Sequence, residues 1–245
     1  ALRLSYATLG TFMKYPKESL PKKPTSNICD KKYGFFQQYK QFFQEVASEL
    51  GMISNKSNPD VGYFRHPLAF LVEAADDICY TIIDFEDGIK LGLINEDFAL
   101  EYLIKLVQKS IDSKKYNELQ TKEDRISYLR ALAIGSLIND AVSVFMDNET
   151  AILKGEFSVS LMDKSQYKAQ ISDIIEISVK NIYQSKEVIE KEIIGYKVIH
   201  TLLDVFINAY INTANNSATN QDKLIMNILP EKYKSIKETK YDKLL

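Results

Sequence analysis

Three polar residues recur at four-residue intervals within one apolar stretch of this chain: Asp76, Tyr80 and Asp84. An α-helix turns by about 100° per residue, so these side chains drift by only about 80° over two turns and share one face. That face also carries Ala, Val and Ile, which predicts that it points toward the protein interior. A buried carboxylate needs a metal ion, a cation or a hydrogen-bond donor, so the spacing favours a ligand-binding face. A helix end or a solvated acidic stripe is the alternative that the pattern leaves open.

The same stretch carries a family resemblance. The segments Glu73–Tyr80 (EAADDICY) and Asp84–Gly88 (DFEDG) resemble the motif that closes the active site of bacterial dGTP triphosphohydrolases, which are HD-superfamily phosphohydrolases that depend on a metal. Weaker similarities occur elsewhere, at Leu4–Gly10, Lys14–Pro16, Lys32–Phe36, Arg125–Arg130 and Asp147–Glu149. The resemblance implies an all-α, HD-domain-like multi-helix bundle, of which this chain is the C-terminal part.

The resemblance also implies roles for individual residues. The family holds its metal with two His and two Asp, and Asp76 matches the last of these ligands. Tyr80 would pack against the deoxyribose, and Asp84 would accept a hydrogen bond from the sugar 3′-hydroxyl. Three residues fall where the family contacts the triphosphate: Lys14, Tyr15 and Lys32. In the implied reaction, water activated at Mg²⁺ or Mn²⁺ attacks the α-phosphorus of dGTP or another deoxynucleoside triphosphate and releases intact triphosphate.

The rest of the expected metal site is missing from this sequence. The chain has two His, His66 and His200, and neither is followed by Asp. It also begins with Ala rather than Met. We therefore interpret residues 1–245 as a single helical domain truncated from a longer protein, called the parent protein below. The H…HD ligands are expected upstream of Ala1, so this chain alone is expected to be inactive.

Several other polar residues have both a functional and a structural interpretation. His66 precedes Pro67 and would either contact the nucleotide or cap the helix, whereas His200, near Asp204 in an apolar helix, is expected to be a core histidine. Surface salt bridges are the favoured interpretation for two residues near one another on a helix, Arg125 and Arg130.

The apolar helix holds further polar residues. Asp77 would either support the metal site or face away from it. Glu86 and Asp87 are expected to be solvated because they lie near the helix end, and Cys79 is expected to be a small core residue.

Composition excludes some classes of protein. The chain has 31 basic and 33 acidic residues, and its net charge of −2 gives no global drive toward nucleic acid. A local basic patch or a solvated lysine-rich loop would fit equally well around Lys14, Lys17, Lys22, Lys23, Lys31 and Lys32. The two cysteines lack metal-type spacing and fit a reducing cytoplasm. The absence of an 18-residue apolar run predicts that no segment spans a membrane.

The pattern of apolar residues predicts the elements that position these groups. Apolar residues recur at three- and four-residue intervals without clean alternation, which predicts a mainly α chain with no strand. Helices are expected over residues 35–50, 97–111, 124–149, 163–183, 186–214 and 222–228. The acidic helix is expected to begin at Pro67 and to be interrupted at Gly88.

Two other function classes remain besides the enzyme. One is a non-catalytic nucleotide-binding regulatory module that keeps Tyr80 and Asp84 but lacks a metal. The other is a helical scaffold without a ligand. The family resemblance further implies a deoxynucleoside triphosphate as partner and a homo-oligomeric assembly.

Overall fold

The chain is all-α in the computed structural model, which describes residues 3–19, 26–55 and 62–231. Its ten helices among these residues are α1 (Tyr6–Phe12), α2 (Lys40–Glu49), α3 (Pro67–Lys90), α4 (Glu96–Val107), α5 (Ser113–Glu118), α6 (Lys122–Asp147), α7 (Glu149–Leu153), α8 (Lys168–Ser178), α9 (Lys186–Ala214) and α10 (Asn220–Ile228). Within the described ranges, β-structure is limited to isolated bridges such as Lys17 with Gly62. The predicted fold class is confirmed.

Polar side chains at the start of the helices explain where many of them begin. The side chain of Asn95 accepts hydrogen bonds from the first backbone N–H groups of α4, and Thr121 does the same for α6. At α3, Pro67 occupies the first helical position, as expected. The predicted interruption at Gly88 is wrong, because α3 continues to Lys90 and ends next to Gly92, whose φ of 72° is accessible to glycine.

The chain divides into two compact units, Ala1–Ile182 and Tyr183–Leu245. In the first unit, α3 packs against α1, α6 and α8, and α4 packs against α6 and α8. The largest fully buried side chains of this core include Ile82, Phe85, Leu103, Leu106, Leu129 and Leu137. In the second unit, α9 pairs with α10, whose capping box joins Thr219 and Asp222. The single domain expected over residues 1–245 stays a prediction.

A second, smaller cluster of apolar side chains lies beside this core. Phe35 stacks on Phe43 with ring centroids 4.6 Å apart, and Val46 and Ala47 of α2 are buried next to them. Tyr6, Leu9 and Met13, which lie in α1 or directly after it, pack against this cluster. This packing fixes the segment after α1, which carries Lys14 and Tyr15.

One described helix, α6, is long and apolar enough to cross a membrane by length and composition alone. Core helices pass the same test, and α6 packs against α3 and α4 through buried residues such as Leu129, Ala133 and Leu137.

Candidate functional site

The three residues spaced along α3 do share one side of the helix, but that side is not buried. The side chain of Asp76 is 74% exposed, Tyr80 is 57% exposed and Asp84 is half-buried. The expectation that Asp76 is buried is therefore wrong. The reason is geometric: Asp76 lies two residues, or about 200°, from both Ala74 and Ile78, which face the core.

The segment after α1 brings a cation to this side of α3. Lys14 Nζ lies 3.3 Å from Glu73 Oε1, 4.0 Å from Asp76 Oδ2 and 4.0 Å from Asp77 Oδ1. The carboxylates of Glu73, Asp76 and Asp77, which lie on one side of α3, therefore surround a single ammonium group. Lys14 and Asp76, which the family resemblance places in one site, thus lie close together in the structure.

Tyr15 and Lys32 join Lys14 through the aromatic ring of the tyrosine. Lys14 Nζ and Lys32 Nζ each lie 5.9 Å from the centroid of the Tyr15 ring, within the range of a cation–π contact. The Lys32 segment approaches closely because Gly34 has no side chain: a Cβ there would lie 2.3 Å from the Tyr15 carbonyl oxygen. The structure therefore brings Lys14 and Lys32 to the ring of Tyr15, and Lys14 also lies beside Asp76.

Sequence reasoning missed the buried ion pair beneath this group. Arg65 donates to both carboxylate oxygens of Glu73, and the two side chains are 0% and 4% exposed. The only sequence signal was the position of Glu73, three residues before Asp76 and four before Asp77, which places all three acids on one side of α3. The partner of Glu73 lies before the helix, where helical periodicity gives no information.

The acids and the lysine alter one another's proton affinity. Burial raises the pKa of Asp77 to about 6, and the negative charges of Glu73 and Asp76 act in the same direction, against the opposing effect of Lys14. For Lys14, burial favours the neutral form, but the Glu73 and Asp77 carboxylates outweigh it and hold the pKa of the ammonium above its usual value. Lys14 is therefore a fixed positive charge at neutral pH.

The described residues do not by themselves make a metal centre. Among residues 3–19, 26–55 and 62–231, no three or more His, Cys, Asp or Glu side chains converge as a metal would require. Asp76 supplies one carboxylate, and Lys14 already lies beside it. The assignment of Asp76 as a ligand for Mg²⁺ or Mn²⁺ stays a prediction, and the residues present do not fit a complete site.

The two histidines differ from each other in their surroundings. His66 caps α3, because its Nδ1 accepts a hydrogen bond from the backbone N–H of Leu68, and burial lowers its pKa. The core role expected for His200 is wrong, since this residue is exposed on α9 with its Nδ1 2.8 Å from the Tyr196 carbonyl oxygen.

The structure also tests the expectations for five further residues of α3 and α6. Glu86 is buried rather than solvated, because Arg130 donates to it at 2.7 Å and Lys90 lies 3.1 Å away. Asp87 is exposed as expected, but Cys79 is exposed rather than part of the core. The ion pair expected for Arg130 is thus present, whereas Arg125 donates to the Leu119 carbonyl oxygen.

The lysine-rich loop is not a uniform basic patch. Lys17 is buried, and its Nζ donates to the backbone carbonyl of Asp30 at 3.1 Å. Lys22 and Lys23 lie outside the described residues. Lys14 and Lys32 are thus the two lysines of this loop that the structure brings to the Tyr15 ring.

Comparison with known proteins finds several proteins that are similar to this chain in sequence. No family model matches it. The chain is 34% identical over its whole length to a deoxyguanosinetriphosphate triphosphohydrolase-like protein of Synechocystis, covering 55% of that protein. It is 32% identical to a protein of the same name from Listeria monocytogenes, with 95% of this chain and 51% of that protein aligned.

The name of a third relative lacks the ending "-like protein". A deoxyguanosinetriphosphate triphosphohydrolase of Yersinia pestis is 28% identical, and the match covers 84% of this chain and 43% of that protein. The names of these relatives agree with the family resemblance of the segment from Glu73 to Gly88. The chain is thus similar over most of its length to proteins named deoxyguanosinetriphosphate triphosphohydrolase or deoxyguanosinetriphosphate triphosphohydrolase-like, and it spans about half the length of these relatives.

Proposed function

We propose that this chain supplies the sugar- and triphosphate-binding side of a metal-dependent deoxynucleoside triphosphate triphosphohydrolase. The reaction would split dGTP, or another deoxynucleoside triphosphate, into a deoxynucleoside and inorganic triphosphate. One observation carries the proposal: Lys14 approaches Asp76 on the side of α3 that also bears Tyr80 and Asp84, and the ring of Tyr15 lies near both Lys14 and Lys32.

The chemistry of these groups suits the two ends of such a substrate. A triphosphate is strongly anionic, and ammonium groups at fixed positions offset that charge through charge-assisted hydrogen bonds. Lys14 is held at its position by Glu73, so it needs little further ordering when the anion arrives. The exposed ring of Tyr80 offers an apolar surface for a deoxyribose, and the Asp84 carboxylate offers an acceptor for its 3′-hydroxyl.

A divalent metal belongs to this proposal, with Asp76 as one ligand. The metal would activate the attacking water and neutralise charge on the phosphate. The described residues supply no complete ligand set, so the proposal assigns the remaining ligands to other parts of the parent protein. Hydrolysis is therefore proposed for the parent protein, whereas nucleotide contact is proposed for this chain. Cytoplasmic location and homo-oligomeric assembly remain expectations of the same proposal.

The test is direct product analysis with the parent protein. Incubation with each deoxynucleoside triphosphate and Mg²⁺ or Mn²⁺ should release the deoxynucleoside and intact triphosphate in equal amounts. Release of pyrophosphate or single phosphates instead would contradict the proposed reaction. The sugar contact is tested by Asp84→Asn, which should weaken binding of the 2′-deoxynucleotide more than binding of its 2′,3′-dideoxy analogue, since the analogue lacks the 3′-hydroxyl.

A non-catalytic nucleotide-binding regulatory module is the second candidate. The observation that favours it is the lack of a converging group of metal-ligand side chains among the described residues. A module of this kind would be stabilised against heat by nucleotides, because a ligand that binds only the folded state raises its stability. It would do so without any product appearing in the parent protein, whereas the enzyme would show both effects.

A further inference from the structure

Arg65 contacts more of the candidate site than any other side chain described above. Its guanidinium is fully buried and donates to both oxygens of Glu73. Its Nε donates to the backbone carbonyl of Lys14 at 2.6 Å. Its planar faces lie near two rings, with Cζ 5.4 Å from the centroid of Tyr15 and 5.2 Å from that of Phe70.

These contacts join two separate parts of the chain. Glu73 and Phe70 belong to α3, whereas Lys14 and Tyr15 belong to the segment after α1. A guanidinium can make this connection because it carries five donors in a rigid plane and also stacks on aromatic rings. An ammonium group in its place would keep the charge but lose the paired donors and the stacking surface.

Glu73 holds the second half of the arrangement. One of its oxygens accepts from Arg65, and the same oxygen, Oε1, lies 3.3 Å from Lys14 Nζ. Arg65 and Glu73 therefore fix Lys14 at both ends, at its backbone carbonyl and at its ammonium group. Because the Lys14 side chain is held in this way, its ammonium lies 4.0 Å from Asp76.

We propose that Arg65 and Glu73 are positioning residues, which hold Lys14 and Tyr15 in place to bind the triphosphate end of the substrate without contacting it themselves. This inference rests on the proposed function. It predicts a specific consequence: loss of the pair should weaken binding of the phosphate end and leave binding of the base and sugar end unchanged. If the pair only stabilised the fold, its loss would weaken binding of both ends of the substrate to a similar extent.

The chain offers a matched control for this comparison. Arg130 donates to Glu86 at 2.7 Å, so it forms a second Arg–Glu pair in which the acid lies on α3 and is buried. Among the described residues, this second pair contacts Lys90 and not Lys14 or Tyr15. Arg130→Lys therefore alters an Arg–Glu contact on the same helix without displacing the phosphate-binding groups, although Arg130 is more exposed than Arg65.

The experiment measures the binding of two half-ligands to the parent protein by calorimetry, in the presence of Mg²⁺. Inorganic triphosphate probes the phosphate end and deoxyguanosine probes the other end, and neither can be hydrolysed as a substrate. Arg65→Lys should weaken triphosphate binding by about tenfold, as expected for the loss of one charge-assisted hydrogen bond from the supporting network. Deoxyguanosine binding should change less than about twofold, and Arg130→Lys should leave both affinities within the same range.

A second variant covers a failure of Arg65→Lys to fold. Glu73→Gln keeps the shape of the side chain and removes the charge that holds Lys14, so it should show the same selective loss. Equal weakening of both half-ligands in the two variants, or no change in either, would overturn the positioning role while leaving the proposed function intact. A wild-type parent protein that binds neither half-ligand would overturn both.

Discussion

Lys14 Nζ lies 4.0 Å from the Oδ2 atom of Asp76, although the two residues are distant in the sequence. The contact joins the segment after α1 to the middle of α3. It places a permanent positive charge beside the carboxylate that resembles the last metal ligand of the family. An anionic phosphate that approached Asp76 would therefore also meet the Lys14 ammonium, which could offset its charge.

The exposure of Asp76 leads to a clear expectation for its removal. Because the side chain is 74% exposed, Asp76→Ala should change the free energy of unfolding by no more than about 0.5 kcal/mol. The same change should abolish bound metal and hydrolysis in the parent protein. Metal content by elemental analysis, product release and a urea unfolding curve would be measured together. Full activity in the variant would rule out Asp76 as a metal ligand.

Local sequence signals predicted the elements well wherever capping residues and helical periodicity acted together. The predicted limits of α9, residues 186 and 214, agree with the structure, and α3 begins at Pro67 as expected. Some of the site residues that the family resemblance implied also come together, since Lys14 lies beside Asp76 and both Lys14 and Lys32 approach the Tyr15 ring. Short-range patterns suffice for the helix limits because caps are local, whereas the approach of Lys14 to Asp76 was implied only by the family resemblance.

The direction in which α3 faces could not be predicted in the same way. Periodicity shows that Asp76, Tyr80 and Asp84 share one side, but packing partners far away in the sequence decide which side is buried. The expectation that Glu86 is solvated was wrong for the same reason, because its partner Arg130 lies on α6. The Arg65–Glu73 pair likewise depends on how the chain enters α3, which no helical pattern records.

The buried ion pair of Glu86 predicts a pH-dependent contribution to stability. Burial alone would raise the pKa of Glu86, but hydrogen bonds from Arg130 and Lys90 hold it below its usual value of 4.5. A lowered pKa means that the carboxylate stabilises the fold fully above about pH 4.5, and that this contribution disappears as the pH falls through the folded value. Glu86→Gln should therefore cost about 2 kcal/mol at pH 7 and progressively less below pH 4.5.

Urea unfolding of the wild type and of Glu86→Gln at several pH values between 7 and 3.5 would measure this difference. Glu101→Gln is a suitable control, because Glu101 is an exposed acid on α4. Its effect on stability should be small and should not vary with pH in the same way. A cost for Glu86→Gln that stays constant down to pH 3.5 would show that the charge on Glu86 does not stabilise the fold.

Two glycines within helices should respond in opposite directions to the same substitution. A Cβ on Gly88 would lie 2.5 Å from Ile182 Cδ1 and 3.1 Å from Ile94 Cδ1, so Gly88→Ala should destabilise the fold by about 1–3 kcal/mol. A Cβ on Gly135 in α6 would meet nothing within 4 Å, so Gly135→Ala should stabilise it by about 0.5–1 kcal/mol. Thermal unfolding of both variants beside the wild type would check the signs, and a stabilising Gly88→Ala would contradict the close packing of α3.

The last prediction concerns the 245-residue chain by itself. Its described residues bring no three candidate ligand side chains together, and a single carboxylate such as Asp76 binds a divalent ion weakly because affinity requires several converging oxygens. The isolated chain should therefore hold no stoichiometric metal and show no triphosphohydrolase turnover, although Lys14 and Lys32 should still attract inorganic triphosphate weakly. Incubation with dGTP and Mn²⁺, followed by chromatography of the products, would measure turnover. Robust release of deoxyguanosine and triphosphate would show that the chain contains a complete catalytic site, and that the ligands expected upstream are not needed for the reaction.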